Sequence, residues 1–124
     1  MSTILLSIKP KYSKLIFDGS KKFEFRKIIA EKEVDKIIVY SSSPDKMIVG
    51  EAYVTGIVSM QKEDLWEFTK QYAGITEDEF FSYFDKNEVG HAYQLGKVEM
   101  YKNPKQLKDL GVDKAPQSFI YLDL

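Results

Sequence analysis

The sequence contains no cysteine and only one histidine, His91. The lack of cysteine excludes disulfides, thiolate nucleophiles and cysteine-ligated zinc sites. A single histidine has no partner of its own kind for a shared metal ion, so we expect no metal. There is also no glycine-rich phosphate loop and no dinucleotide fingerprint, and we expect no cofactor.

Long apolar runs are missing as well. No stretch approaches the roughly 20 apolar residues that span a bilayer. The first residues, Met1–Leu6, lack the basic flank and small-residue cleavage site of a signal peptide. With 44% hydrophobic and 30% charged residues, the composition is that of a globular protein. We therefore expect one cytoplasmic domain over residues 1–124, with no membrane contact.

The net charge is close to zero, but the charges are unevenly distributed. Residues 1–27 hold seven basic and two acidic side chains, a net +5, whereas residues 61–90 hold three basic and eight acidic ones, a net −5. The basic end can meet phosphates, and the near-neutral total favours a small or single-stranded ligand over duplex. The acidic region, residues 61–88, is a possible surface for a protein partner. Two solvated faces of opposite sign are the alternative interpretation.

Apolar runs and turn residues predict six strands and four short helices. The helices are predicted from Pro10 to the residues before Gly19, over 63–73, from an N-cap at Thr76, and over 104–110. The strands are predicted at Thr3–Ile8, Lys21–Lys27, Lys36–Tyr40, Met47–Val58, His91–Tyr101 and Ser118–Leu124. No regular βαβ alternation appears. The pattern favours an α+β fold with a small, mostly antiparallel β-barrel and three to four short helices packed around it.

The segment Gly19–Arg26 carries the most chemistry. A strand there places Glu24 and Arg26 on one face and two phenylalanines on the other, because side chains alternate with period two. The aromatic face can anchor the strand, so that the charged face is held rigidly enough to bind a ligand. Lys21 joins Glu24 only if the chain bends near the glycine, since the two residues are three apart. An amphipathic edge strand with solvated charges is the alternative.

Each charged group of this segment suits a polar ligand. The Arg26 guanidinium matches phosphate or a base edge. Lys21 can pair with phosphate, and its pKa falls if it is desolvated, so that it can act as a base or nucleophile. Glu24 can accept hydrogen bonds from an exocyclic amine or simply fix Arg26 in a structural ion pair. Outside the segment, Lys9 precedes a helix start that favours anions.

The spacing Gly19-x-Lys21-x-x-Glu24-x-Arg26 resembles the signature of the ASCH domain family, within the PUA-like superfamily. The segments Ser7–Tyr12, Ile38–Pro44 and Ala115–Phe119 also look like its compact stand-alone prokaryotic or phage members. The resemblance implies a β-barrel with a cleft beside the signature. Family members are thought to bind RNA or nucleotide-like ligands, and some are described as regulators.

Further residues are candidates for that cleft, and the resemblance supports mainly Gln117 and Ser118 among them. Ser41 and Ser42 would supply hydroxyl groups at its rim, although a plain loop is the alternative. Gln117 and Ser118 would read a base edge, and Tyr93 would stack on a base. A few related proteins are amidohydrolases acting on N4-acetylcytidine through a lysine, a threonine and a later glutamate. Lys21 matches that lysine, Glu24 stands in place of the threonine, and Glu79 matches the glutamate by its position in the predicted Thr76–Phe84 helix.

Three hypotheses follow. The first is an RNA- or nucleotide-binding module, with a regulatory role as one option, in which Arg26→Ala abolishes binding and leaves thermal stability nearly unchanged. The second is a small hydrolase, either an amidohydrolase or a ribonuclease, in which Lys21 works with Glu79 or Glu24 as acid–base partner. The third is a protein-interaction domain that uses the acidic residues Glu63, Asp64 and Glu67.

Overall fold

The computed structural model describes residues 2–123. Within them the chain forms β1 (Ser2–Ile8), α1 (Pro10–Phe17), β2 (Phe23–Arg26), β3 (Val34–Ser41), β4 (Met47–Gln61), α2 (Lys62–Thr69), α3 (Glu77–Tyr83), β5 (Val89–Lys105) and β6 (Phe119–Leu122). Short 3₁₀ turns span Lys70–Tyr72 and Leu107–Leu110. Met1, in the segment assessed for a signal peptide, and Leu124, the predicted end of the last strand, lie outside the described residues.

The six strands pair in the order β2-β5-β4-β3-β1-β6. β1 runs parallel to β3, and the other four pairs are antiparallel. This is an α+β fold, as predicted, but the sheet is open, with β2 and β6 at its two edges. The predicted barrel is therefore not confirmed. Local sequence patterns could not show this, because closure depends on which distant strands pair.

β1 and β3 are buried on both faces of the sheet. In β1, Ile4, Leu6 and Ile8 enter one hydrophobic cluster with Ile16 of α1, whereas Leu5 enters a second cluster on the opposite face. A strand covered on both sides needs apolar residues at every position, which explains its continuous apolar run. This buried frame fixes the end of β1, where Ser7 and Lys9 lie.

A third cluster attaches β2 to the helices. Phe25 packs edge-on against Phe80 and Phe84, with ring centroids 5.1 and 6.3 Å apart. The predicted capping box of α3 is present, since the Thr76 side chain accepts from the Glu79 N–H and the Glu79 side chain accepts from the Thr76 N–H. Together these contacts fix α3 beside β2 and bring Glu79 towards α1.

Several element boundaries differ from the sequence prediction, and the largest extensions are those of β4 and β5. β5 continues to Lys105, which pairs with Ile48 of β4, so the helix predicted from Pro104 is only a 3₁₀ turn that begins at Leu107. The strand predicted to end at Val58 continues to Gln61 for the same reason, because pairing with β5 extends it. None of the helices within residues 2–123 has the length and apolarity needed to cross a membrane.

Candidate ligand-binding site

A cavity of about 430 Å³ opens where the end of β1, α1, β2 and α3 meet. Its volume falls in the range of roughly 300–1,000 Å³ that small-ligand sites occupy. Five of the residues singled out from the sequence line it: Lys9, Lys21, Glu24, Arg26 and Glu79. The remaining wall is formed by Ser7, Ile8, Tyr12, Phe25, Ile75, Ser82 and Tyr83.

The chain bends before β2, as the spacing of Lys21 and Glu24 requires. Gly19 has a φ of 90°, in the left-handed region that glycine adopts without strain. The Lys21 N–H then donates to the Leu15 carbonyl at 3.0 Å, so this residue precedes the strand and does not follow its alternation. Its ammonium nitrogen consequently lies 4.0 Å from Glu24 Oε1.

Lys21 is held at the floor of the cavity with only 2% of its surface exposed. Its Nζ donates to the Ala73 carbonyl at 2.7 Å and lies 4.8 Å from the centre of the Phe25 ring. Burial lowers the pKa of the Lys21 ammonium, and the Glu24 carboxylate partly opposes this effect. The amine therefore gives up its proton more readily than an exposed lysine does.

Gly74 makes room for the Lys21 side chain. It has a φ of +70°, and a Cβ at this position would come within 2.5 Å of Lys21 Cβ and 2.8 Å of Lys21 Cδ. A residue with a side chain would thus be strained in its backbone and would also push the lysine stem aside. The absence of a side chain at position 74 is part of what places the ammonium group.

Glu24 holds Arg26 in a fixed orientation. Glu24 Oε2 accepts hydrogen bonds from Arg26 Nε at 3.1 Å and Nη2 at 2.9 Å, and Nη2 also donates to the Ser7 carbonyl at 2.8 Å. The two side chains are 9% and 14% exposed, so the pair is largely shielded from water. The hydrogen bonds described within residues 2–123 leave Nη1 without a protein acceptor. Arg26, the only arginine in the sequence, is thus part of an ion pair, lines the cavity and keeps donor capacity at Nη1.

Glu79 joins α3 to α1 at the edge of the cavity. Its Oε2 accepts from the Tyr12 hydroxyl at 2.8 Å and from Lys11 Nζ at 2.9 Å, while Oε1 accepts from the Thr76 N–H. The Thr76 N–H, then Lys11 and Tyr12, lower the pKa of Glu79 to about 2. Burial, followed by the bond to this carboxylate, raises the pKa of Tyr12 to about 12. Glu79 has no proton to donate at neutral pH, so its environment favours positioning Tyr12 over the predicted acid role.

Three predicted residues lie away from the cavity. Ser41 is buried and bonded to Ser13 and Asp45, beside a separate hollow of about 190 Å³. Ser42 lies in the following turn, where its N–H donates to the Ile8 carbonyl at 2.9 Å. Tyr93 has 0% exposure, and its hydroxyl accepts from the Ala30 N–H at 3.0 Å. Its ring is part of the core and is not available to stack on a ligand, contrary to the sequence prediction.

Gln117 and Ser118 lie close to the cavity but do not line it. The carbonyl of the preceding residue, Pro116, accepts a hydrogen bond of 2.9 Å from the Ser7 hydroxyl, and Ser7 is a cavity residue. Gln117 is exposed and Ser118 half-buried. The segment therefore runs past one end of the site.

Sequence reasoning missed several cavity residues, of which Ser7, Tyr12, Ser82 and Tyr83 offer polar atoms. A signal was present for Ser7, because it is the one polar residue in the otherwise apolar run from Ile4 to Ile8. Tyr12 and Tyr83 lie on amphipathic helices, where sequence alone does not separate a packing aromatic from a cavity wall. Within residues 2–123, no group of three or more histidine or acidic residues is arranged to hold a metal ion.

Comparison with known proteins gives a family match and several relatives. The ASCH domain model matches residues 6–109. The chain is 30% identical over 122 residues to the ASCH domain-containing ribonuclease of Zymomonas mobilis, covering 95% of this chain and 82% of that protein. It is also 31% and 30% identical to parts of two Ureaplasma parvum proteins, ATP synthase subunit alpha and large ribosomal subunit protein uL22. The chain spans only 15% and 39% of the length of those two relatives.

Solved structures agree with this match. The crystal structure of ASCH from Zymomonas mobilis superposes with a TM-score of 0.91 at 28% identity, covering 98% of this chain and 88% of the other. A single-residue variant of the same protein also gives 0.91, at 26% identity, covering 99% and 91%. The open six-stranded arrangement with its flanking helices is therefore shared with solved proteins.

Proposed function

Because the chain belongs to the ASCH domain family, we propose that its cavity binds one nucleotide unit of single-stranded RNA. The observation that supports the proposal is the Arg26 guanidinium, which lines the cavity, is oriented by Glu24 and the Ser7 carbonyl, and has no acceptor for Nη1 among the described residues. A guanidinium held in this way loses little side-chain entropy when it binds a phosphate, so its position favours binding.

The cavity wall supplies groups for each part of a nucleotide. Arg26 and Lys9 offer positive charge to a phosphate. Tyr12, Phe25 and Ile75 offer apolar surface to a base. The acidic groups are already neutralised, since Glu24 pairs with Arg26 and Lys21, and Glu79 pairs with Lys11. Neither carboxylate presents an unpaired charge that would repel the phosphate.

The test is binding of a 5′-fluorescein-labelled, ten-nucleotide single-stranded RNA, followed by fluorescence anisotropy at several salt concentrations. Arg26→Met should weaken binding by roughly tenfold or more, because hydrogen bonds to charged groups contribute about 1.5–3 kcal/mol. It should also reduce the salt dependence by about one phosphate contact. Lys97→Met, which removes an exposed lysine outside the cavity, is the matched control. An equal loss of RNA affinity in both variants would refute the site, and so would unchanged affinity in both.

Cleavage of RNA is the second candidate function. It is favoured by the name of the Zymomonas mobilis relative and by the buried Lys21, whose pKa is lowered. In this proposal the neutral Lys21 amine takes the proton of a ribose 2′-hydroxyl. The 2′-oxygen attacks the adjacent phosphorus, the bond to the 5′-oxygen breaks, and that oxygen takes a proton from water. Arg26 stabilises the charge on the phosphate oxygens during the attack.

This reaction predicts its own products and controls. Cleavage should yield a 2′,3′-cyclic phosphate and a 5′-hydroxyl, and an RNA with one 2′-deoxynucleotide should remain intact at that position. Lys21→Met should abolish cleavage, whereas Lys22→Met, at the exposed neighbouring position, should not. Activity should increase as the pH rises through the lowered pKa of Lys21. No cleavage after long incubation would exclude the reaction, and deacetylation of N4-acetylcytidine instead would favour the amidohydrolase alternative.

The acidic surface remains a separate prediction. Glu63, Asp64 and Glu67 are exposed on α2, and Glu67 pairs with Lys70 at 2.8 Å. They are not among the cavity residues. If the surface binds a protein partner, reversing its charges should leave RNA binding unchanged. A fall in RNA affinity would show that the acidic residues also act on the RNA.

A further inference from the structure

Tyr83 lies at the end of α3 with one part in the cavity wall and another at the surface. It lines the cavity together with Arg26, yet 37% of its surface is exposed. Its ring packs edge-on against buried Phe84, with centroids 4.8 Å apart, which restricts the orientation of the tyrosine. An aromatic ring fixed at the mouth of a ligand cavity is a surface on which a second base can stack.

Lys27 lies directly over this ring. Its Nζ is 4.8 Å from the ring centroid, and its backbone N–H donates to the Tyr83 hydroxyl at 3.3 Å. Lys27 follows Arg26 in the chain, directly after the end of β2. A cation–π contact at an exposed site is weak, and a phosphate can draw the flexible ammonium group away from the ring.

We propose that Tyr83 and Lys27 form a second nucleotide subsite, in which Tyr83 stacks on the base next to the one in the cavity and Lys27 binds the phosphate between them. The inference rests on the proposed RNA binding and specifies its ligand as a single strand of at least two nucleotides. Stacking accepts every base, so the subsite should add affinity without marked sequence preference.

A lysine–tyrosine pair alone does not make a subsite, and the structure contains an internal comparison. Lys22 Nζ lies 4.5 Å from the ring centroid of Tyr72, which is 40% exposed. Tyr72 does not line the cavity. The two pairs are alike in distance and exposure, and they differ in their position relative to the cavity. Tyr72 is therefore the matched control for Tyr83.

The experiment compares the affinity of the full chain for a mononucleotide, a 5′-phosphorylated uridine, with its affinity for the corresponding dinucleotide. Both are measured by isothermal titration calorimetry. The wild type should bind the dinucleotide on the order of tenfold more tightly, as expected for one stacked base. Lys27→Ala, outside the cavity wall, should remove most of this gain while leaving mononucleotide binding unchanged. Tyr83→Leu should lower the affinity for the dinucleotide by a clearly larger factor than the affinity for the mononucleotide. Tyr83→Phe should keep the gain, because the stacking surface remains, and Tyr72→Leu should also keep it.

The outcomes separate this proposal from the one on which it rests. If the wild type binds both ligands and Tyr83→Leu keeps the full gain, the subsite is refuted and the cavity assignment stands. If Tyr83→Leu weakens both ligands equally, Tyr83 belongs to the cavity site and there is no separate subsite. If the wild type binds neither ligand, the proposed RNA binding fails, and the subsite fails with it. Circular dichroism of each variant establishes that it is folded.

Discussion

Replacing Arg26 by alanine should destabilise the protein as well as weaken ligand binding. This expectation replaces that of nearly unchanged stability, which the sequence alone suggested, because the side chain belongs to a shielded ion pair. Removal of the guanidinium eliminates two hydrogen bonds to Glu24 and one to the Ser7 carbonyl. It leaves the largely buried Glu24 carboxylate with only the Lys21 ammonium, 4.0 Å away.

The expected cost follows from the burial of this pair. Removing one partner of a buried ion pair costs about 3–5 kcal/mol, because the remaining charge is uncompensated. Arg26 is slightly exposed and Glu24 keeps Lys21 nearby, so we expect a smaller loss, about 2 kcal/mol in the free energy of unfolding. For a chain of this size that corresponds to a fall in Tm of roughly 8 °C.

A double-mutant cycle measured by urea denaturation tests the cause. Glu24→Gln removes the charge that Arg26→Ala would leave unpaired, so the double variant should be more stable than the sum of the two single losses predicts. The expected coupling is about 1–2 kcal/mol. Wild-type stability for Arg26→Ala, or purely additive losses in the double variant, would refute the shielded ion pair. Binding assays on Arg26 variants should be run well below the lowered Tm.

Other consequences of the structure can be measured separately. Gly74→Ala should lower both stability and RNA affinity, because it strains a residue with φ +70° and displaces Lys21. Gly111→Ala is the control. It should lower stability alone, because the residue has φ +74° but no atom lies within 4 Å of the added Cβ. Phe80→Ala should reduce the free energy of unfolding by about 3–5 kcal/mol, since the ring is fully buried, whereas Phe68→Ala, at an exposed position, should cost less. The difference in free energy of unfolding between wild type and Glu79→Gln should reach its full value above about pH 4.5 and diminish as pH falls towards 2, because folding lowers the pKa of Glu79. A constant difference in urea denaturation over that range would contradict this. The free energy of unfolding of wild type, relative to that of Lys21→Met, should increase with pH between the lowered pKa of Lys21 and its ordinary value of 10.5. In that range the folded state binds fewer protons than the unfolded state.

Local patterns predicted the elements well and their assembly poorly. The apolar run of β1 and the Thr76 capping box depend on neighbours in the sequence, and both are confirmed. The arrangement of the sheet depends on the pairing of β2 with β5. The paired residues are more than sixty positions apart in the sequence, and no local pattern encodes that choice. The extension of β5 through Pro104 has the same origin, because pairing with β4 overrides the helix signal of the proline.

The candidate site shows the same division. Lys21, Glu24 and Arg26 meet because one glycine turn and one short strand hold them, so their spacing was informative. Tyr93 failed as a stacking residue because β5 pairs with both β2 and β4, which places its ring inside the core. Tyr83, by contrast, reaches the cavity only through the packing of α3 on β2, a contact between distant segments.

The ion pairs also explain how a nearly neutral chain can present a positive site. Glu79 comes from the acidic half of the sequence, yet it binds Lys11 and Tyr12 of the basic half, so the two charge blocks partly neutralise each other at the cavity edge. Glu24 is in turn paired with Arg26 and Lys21. Glu24 faces two cations, so the positive charge that remains at the cavity comes from Lys9 and from the cluster of Lys21, Glu24 and Arg26. Neutralising Glu79 should release Tyr12 and leave the Lys11 charge unpaired, and it should therefore increase the attraction of the cavity edge for phosphate.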